Sequence, residues 1–94
     1  MSYRLSRAAD EDLIQIYLSG AESFGLDQAR RYHRQLFATF AFLADNPRAA
    51  QLRDEIAPPV RAYPVGAHIV IYTARKNDDV FVLRVRHARE DWLK

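Results

Sequence analysis

The sequence predicts one α+β domain, in which a short opening strand precedes an α-helical hairpin packed on a small antiparallel β-sheet. Three observations carry that expectation. The chain has 94 residues, 49% hydrophobic and 28% charged, enough for one core and too few for two domains. Its first half holds two long stretches with apolar residues three and four apart, the repeat of a helix with one buried side. Beyond Pro58-Pro59 the pattern changes to short runs rich in Val, Ile and Tyr, broken by turn residues, as in a meander of strands.

Tyr3-Arg4-Leu5 reads as the opening strand. Ser6 is the expected N-cap of a first helix from about Ala8 to Phe24, and Asp10, Glu11 and Asp12 lie early in it, where carboxylates complement the helix dipole. Its apolar face is Leu13, Ile16, Tyr17, Gly20 and Phe24. Gly25 suits the position after a helix end, and Asp27 is the expected cap of the second helix. That helix, about Asp27 to Asp45, carries Ala29, Tyr32, His33, Leu36, Phe37, Phe40, Leu43 and Ala44 on one stripe, and Asn46-Pro47 stops it. A link of two or three residues makes the helices antiparallel. Ile14, Leu18 and Phe42 fall outside these stripes and are candidates for covering by a partner.

The expected strands are Val60–Val65, Ala67–Ala74 and Val80–His87, joined by a turn at Gly66 and a polar turn through Lys76-Asn77-Asp78-Asp79. Strict alternation puts Phe81, Leu83 and Val85 on one side of the last strand and Arg84 and Arg86 on the other. In the middle strand Ile69 and Ile71 oppose His68, Val70 and Tyr72. One sheet face then packs on the helices, and the other is left basic and aromatic.

Composition narrows the chemistry. No cysteine is present, which removes disulfides, thiolate metal ligands and cysteine nucleophiles and suits a reducing, cytoplasmic setting. No apolar run is long enough to span a bilayer. No phosphate-cradling glycine loop occurs, so no nucleotide cofactor is expected, and His33, His68 and His87 lack the spacing of a metal motif. His33, in the apolar stripe, reads as a core histidine with one hydrogen-bond partner. Arg30, Arg31 and Arg34 read as a solvated face paired with acids such as Glu22.

Charge is uneven: residues 1–59 hold seven basic and eight acidic side chains, and residues 60–94 hold seven and four. The last stretch, Leu83-Arg84-Val85-Arg86-His87-Ala88-Arg89-Glu90-Asp91-Trp92-Leu93, gathers three arginines and the only tryptophan. Trp and Arg are the residues most enriched in interface hot spots.

The succession Tyr3-Arg4-Leu5-Ser6, Ala8-Ala9-Asp10-Glu11-Asp12-Leu13-Ile14, Ile16-Tyr17, Phe24-Gly25, Ala44-Asp45-Asn46-Pro47, Val60-Arg61, Tyr63, His68-Ile69, Ile71-Tyr72 and Leu83-Arg84-Val85, with His87, Arg89 and Asp91, resembles the ParE branch of the RelE/ParE toxin superfamily. The resemblance runs nearly the whole length. It implies the toxin of a type II toxin–antitoxin pair, held by a ParD-like antitoxin and, when free, blocking DNA gyrase. It implies neither membrane nor direct nucleic-acid binding, except through the antitoxin. On this resemblance Arg84, Arg86, His87, Arg89, Asp91 and Trp92 are assigned to the target, and Ile14, Leu18, Phe42, Arg61 and Tyr63 to the antitoxin. Two positions depart from the pattern: Arg48-Ala49-Ala50 follows Asn46-Pro47 where a glycine is common, and Glu90 replaces a second basic residue.

RelE-like relatives cut messenger RNA on the ribosome, and that alternative would nominate Glu55 as base, Arg61 and Arg84 as cations and His87 as acid. A third alternative is an inactive relative that only binds antitoxin.

Overall fold

The computed structural model describes residues 2–75 and 79–90. Asp91 and Trp92, two of the residues assigned to the target, lie outside them, as does most of the polar turn at 76–78. Element order is β1 (Tyr3–Leu5), α1 (Arg7–Phe24), α2 (Leu26–Asp45), β2 (Leu52–Arg53), β3 (Val60–Val65), β4 (His68–Ala74) and β5 (Val80–His87). The α+β hairpin-on-sheet architecture stands, with each helix starting one residue earlier than the sequence suggests.

Ser6 caps α1 as expected: its backbone is extended, and its hydroxyl accepts the Ala9 N–H at 2.9 Å. Gly25, at φ 92°, ends α1 and also opens α2, a conformation that suits a residue without Cβ. Asp27 is therefore not the cap of α2. It lies in the first turn, where its carboxylate still faces the positive end of the dipole. Phe24, expected on the buried face, is 68% exposed, because the hairpin tip has no sheet beneath it.

The five strands lie in the order β1-β5-β4-β3-β2. The sheet is mixed and not purely antiparallel, since β1 runs parallel to β5 with Arg4 opposite Phe81. Such a pairing joins residues far apart in the chain, which local patterning does not reveal. The two-residue β2, expected as connector, adds an edge by pairing Leu52 with Arg61 and Arg53 with Val60. It leaves the rest of β3 uncovered, including Pro64, which has no N–H to offer.

The strict alternation expected in β5 fails at one place. Arg84 pairs with Ile71 and Val82 with Tyr72, so Leu83 is an extra, bulged residue. The bulge reverses the inside–outside phase: Val80, Val82 and Val85 are buried, while Phe81 and Leu83 are only partly so. Val70 and Tyr72 face the same core, packed with Ala9, Leu13, Leu36, Phe40 and Leu43. The Tyr72 hydroxyl donates to the Pro47 carbonyl at 2.9 Å and accepts the Ala50 N–H at 3.3 Å, tying the connector to the sheet.

Candidate functional site

Ser6 and Asp12 fix α1 against the free edge of β5, where β1 no longer covers it. The Ser6 hydroxyl donates to the Leu83 carbonyl at 2.6 Å. Asp12 accepts the Val85 N–H at 3.0 Å and both nitrogens of a forked Arg84, Nε at 2.8 Å and Nη2 at 2.9 Å. Arg86 approaches the same carboxylate at 4.0 Å and is bonded to Glu90. Burial acts on Asp12 most strongly and would raise its pKa. The Arg84 and Val85 hydrogen bonds and the two arginine charges together outweigh it, so the net displacement is downward. Arg84 moves upward, chiefly through its bond to Asp12.

Glu90 turns its carboxylate back onto the His87 N–H at 3.1 Å, which lowers its pKa first through that bond and then through Arg86. The departure from a basic residue at this position thus neutralises Arg86 within the chain. Of the residues assigned to the target, Arg84 and Arg86 are engaged by acids, while His87 and Arg89 are exposed.

At the end of the sheet, Val65 pairs with His68 and His68 with His87, placing the two imidazoles edge to face at 5.4 Å. The Tyr32 hydroxyl lies 2.5 Å from His68 Nδ1 and accepts the Ala67 N–H at 3.2 Å. Gly66, at φ 55°, lets the turn press on Tyr32: a Cβ there would sit 2.6 Å from Cε1 of the ring. Burial, then the neighbouring His87, depresses the His68 pKa from its ordinary 6.5, against weaker upward pulls from Asp12 and Glu90. A cleft of about 680 Å³ opens between this row and the underside of the hairpin.

The apolar residues expected outside the core are exposed, and they fall in two groups. Ile14 and Leu18, 56% and 55% exposed, form one stripe on α1. Phe42 instead pairs with Tyr63 of β3, their ring centroids 5.7 Å apart. Arg61, near the start of the same strand, donates to the Ala50 carbonyl at 2.6 Å.

The model of the family described as "ParE toxin of type II toxin-antitoxin system, parDE" matches residues 3–92. The chain belongs to the ParE toxin family. It is 36% identical over 89 residues to Toxin ParE1 of Mycobacterium tuberculosis (strain H37Rv), covering 95% of this chain and 91% of that one. To Toxin ParE1 of Caulobacter vibrioides it is 35% identical over 85 residues, covering 90% and 86%. A solved structure titled "Chromosomal ParDE TA system from P. aeruginosa" matches with a TM-score of 0.78 over 93% of this chain and 95% of that one, at 19% identity. That likeness is one of fold.

In this ParE-type toxin the residues that the nuclease alternative requires are spread apart. Glu55 is exposed and bonded to Arg53 at 2.8 Å. Arg61 lies at the opposite end of β3 from the His68–His87 row, roughly 13 Å along the strand. Arg84 is engaged by Asp12. Among the described residues no group of three or more potential metal ligands occurs, and no helix is long and apolar enough to cross a membrane.

Two expectations about single residues need correction. His33 is held between the rings of Tyr17 and Phe37, and its buried Nδ1 has no hydrogen-bond partner among the described residues. Arg30, Arg31 and Arg34 make no ion pair there, with Glu22 or any other acid. The residues that sequence reasoning overlooked are Asp12, as partner of Arg84, and the Tyr32–His68–His87 row. The register of the meander was the available signal for the histidine pair, since the turn at Gly66 and the strand ends place them side by side.

Proposed function

We propose that this ParE-family toxin inhibits DNA gyrase, and so replication, in the cytoplasm until a ParD-like antitoxin covers it. It acts by binding and carries out no catalytic step of its own. Family membership over nearly the whole chain is the observation that carries this reading. The surface adds support: Ile14 and Leu18 on α1, and Phe42 with Tyr63, leave apolar side chains in water on an otherwise filled core. Such residues suit a partner that lays an amphipathic segment against them.

The exposed end of β5 is the proposed target surface, with His87 and Arg89 leading it and Trp92 contributing from beyond the described residues. Arg84 and Arg86 act there as a scaffold held by Asp12 and Glu90. The dispersal of Glu55, Arg61, Arg84 and His87 favours this non-enzymatic reading over cleavage of messenger RNA on the ribosome.

Supercoiling by purified gyrase is the test. The wild-type chain should inhibit it, and Arg89→Ala or Trp92→Ala should raise the concentration needed about tenfold or more. Cleavage of ribosome-bound message with supercoiling untouched would replace this reading with the RelE-like one. Silence in both assays would mark an inactive relative.

A further inference from the structure

His68 and His87 share no local motif, and the register of β4 on β5 alone makes them neighbours. The kind of pairing decides how close they come. Just beyond them the Ala88 N–H bonds to the Ala67 carbonyl at 2.9 Å, while the N–H groups of Val85 and His87 point away from β4, to Asp12 and Glu90. His68 and His87 therefore form a non-hydrogen-bonded pair of the antiparallel ladder, the type in which facing side chains approach most closely. Both rings line the cleft, their centroids 5.4 Å apart.

We infer that this pair is a site for a divalent transition-metal cation of the zinc and copper class, held by one nitrogen of each imidazole. Imidazole is the commonest side-chain ligand of these ions. At metal–nitrogen distances of about 2.0–2.1 Å, two rings facing each other across a ladder can close on one ion.

A ligating histidine ordinarily donates its other ring N–H to a fixed acceptor, which sets the tautomer. For His68 that acceptor is in place. The Tyr32 hydroxyl, 2.5 Å from Nδ1, can accept the Nδ1 proton and turn its own to the Val65 carbonyl at 3.3 Å, which leaves Nε2 for the ion. His87 gives up one contact, because the Arg89 N–H that donates to its Nδ1 at 3.1 Å is released to water. Asp12 and Glu90 favour positive charge at His68, and Arg31 on the cleft wall opposes it. Two protein ligands are fewer than the three of a catalytic zinc site or the four of a structural one, and among the described residues no group of three forms. The ion is thus exchangeable, with water in the open positions.

Titration of the full, untagged chain with zinc chloride, followed by calorimetry and by the imidazole and amide NMR signals, tests this. The wild type should bind one ion, with shifts centred on His68, His87 and the Arg89 amide. His68→Gln and His87→Gln should each weaken binding about tenfold or more, and His33→Phe should bind as the wild type does. Electron paramagnetic resonance of the copper(II) form should show two nitrogen ligands. No saturation by about 1 mM zinc, wild-type shifts centred on other residues, full affinity in either glutamine variant, or an equal loss in His33→Phe would overturn the site. The wild-type shifts decide the matter even where a glutamine variant does not fold.

Discussion

Asp12 ties α1 to β5, reaching across 72 positions to Arg84 and onward to the Val85 N–H. Asp12→Asn keeps the shape but loses the charge, and should destabilise the fold by about 1–3 kcal/mol in urea titration. The sign of the pH effect follows from the lowered pKa. A carboxylate depressed in the folded state contributes stability above its unfolded value of about 3.9, and that contribution disappears as pH falls through the folded value. Wild-type stability should thus drop through the acid range more steeply than that of Asp12→Asn, and parallel curves would contradict the bridge. His33 offers the opposite case: its buried Nδ1 has no partner among the described residues, and His33→Phe should raise stability by about 1 kcal/mol, read as an increase in Tm. Sequence alone gave no sight of the Asp12–Arg84 pair, because helix and strand patterns report the face a residue occupies and not which distant residue meets it. The same blindness hid the fate of Glu90, whose replacement of a cation reads in sequence as lost charge and in space as a tether for Arg86.

Elements with a local cause were legible: Ser6 at the start of α1, Gly25 between the helices, Asn46-Pro47 at the end of α2, and the strands around Gly66. Those without one were not. β1 finds its parallel place beside β5 only when the core assembles, β2 is two residues long, and the Leu83 bulge reverses the phase of β5 without a glycine to announce it. Gly66 is where local conformation and packing coincide, since its φ of 55° and the Tyr32 ring both exclude a side chain. Gly66→Ala should therefore lower stability by about 1–3 kcal/mol. Pairing it with Tyr32→Leu in a double-mutant cycle would separate the two causes: coupling is expected if the ring contact matters, and strict additivity would leave backbone strain alone.

On the scale of the whole molecule, one compact core supports surfaces proposed for different partners. The apolar stripe of α1 and the Phe42–Tyr63 pair belong to the proposed antitoxin contact, and the end of β5 to the proposed target. Ile14, Leu18 and Phe42 were readable as residues left over from helical stripes, whereas the cleft under the hairpin was not, being a product of helix length set against strand length. If the two kinds of surface are separable, toxicity and neutralisation can be separated as well. Leu18 is 55% exposed, so Leu18→Glu should leave the fold within about 0.5 kcal/mol of wild type while placing a carboxylate against an apolar partner. The direct measurement is gyrase supercoiling in the presence of this chain and rising amounts of its antitoxin. Wild-type inhibition should be relieved near equivalence, and inhibition by Leu18→Glu should persist at about ten times that antitoxin concentration. Relief of both at the same antitoxin concentration, or the absence of inhibition by the wild type, would contradict the account.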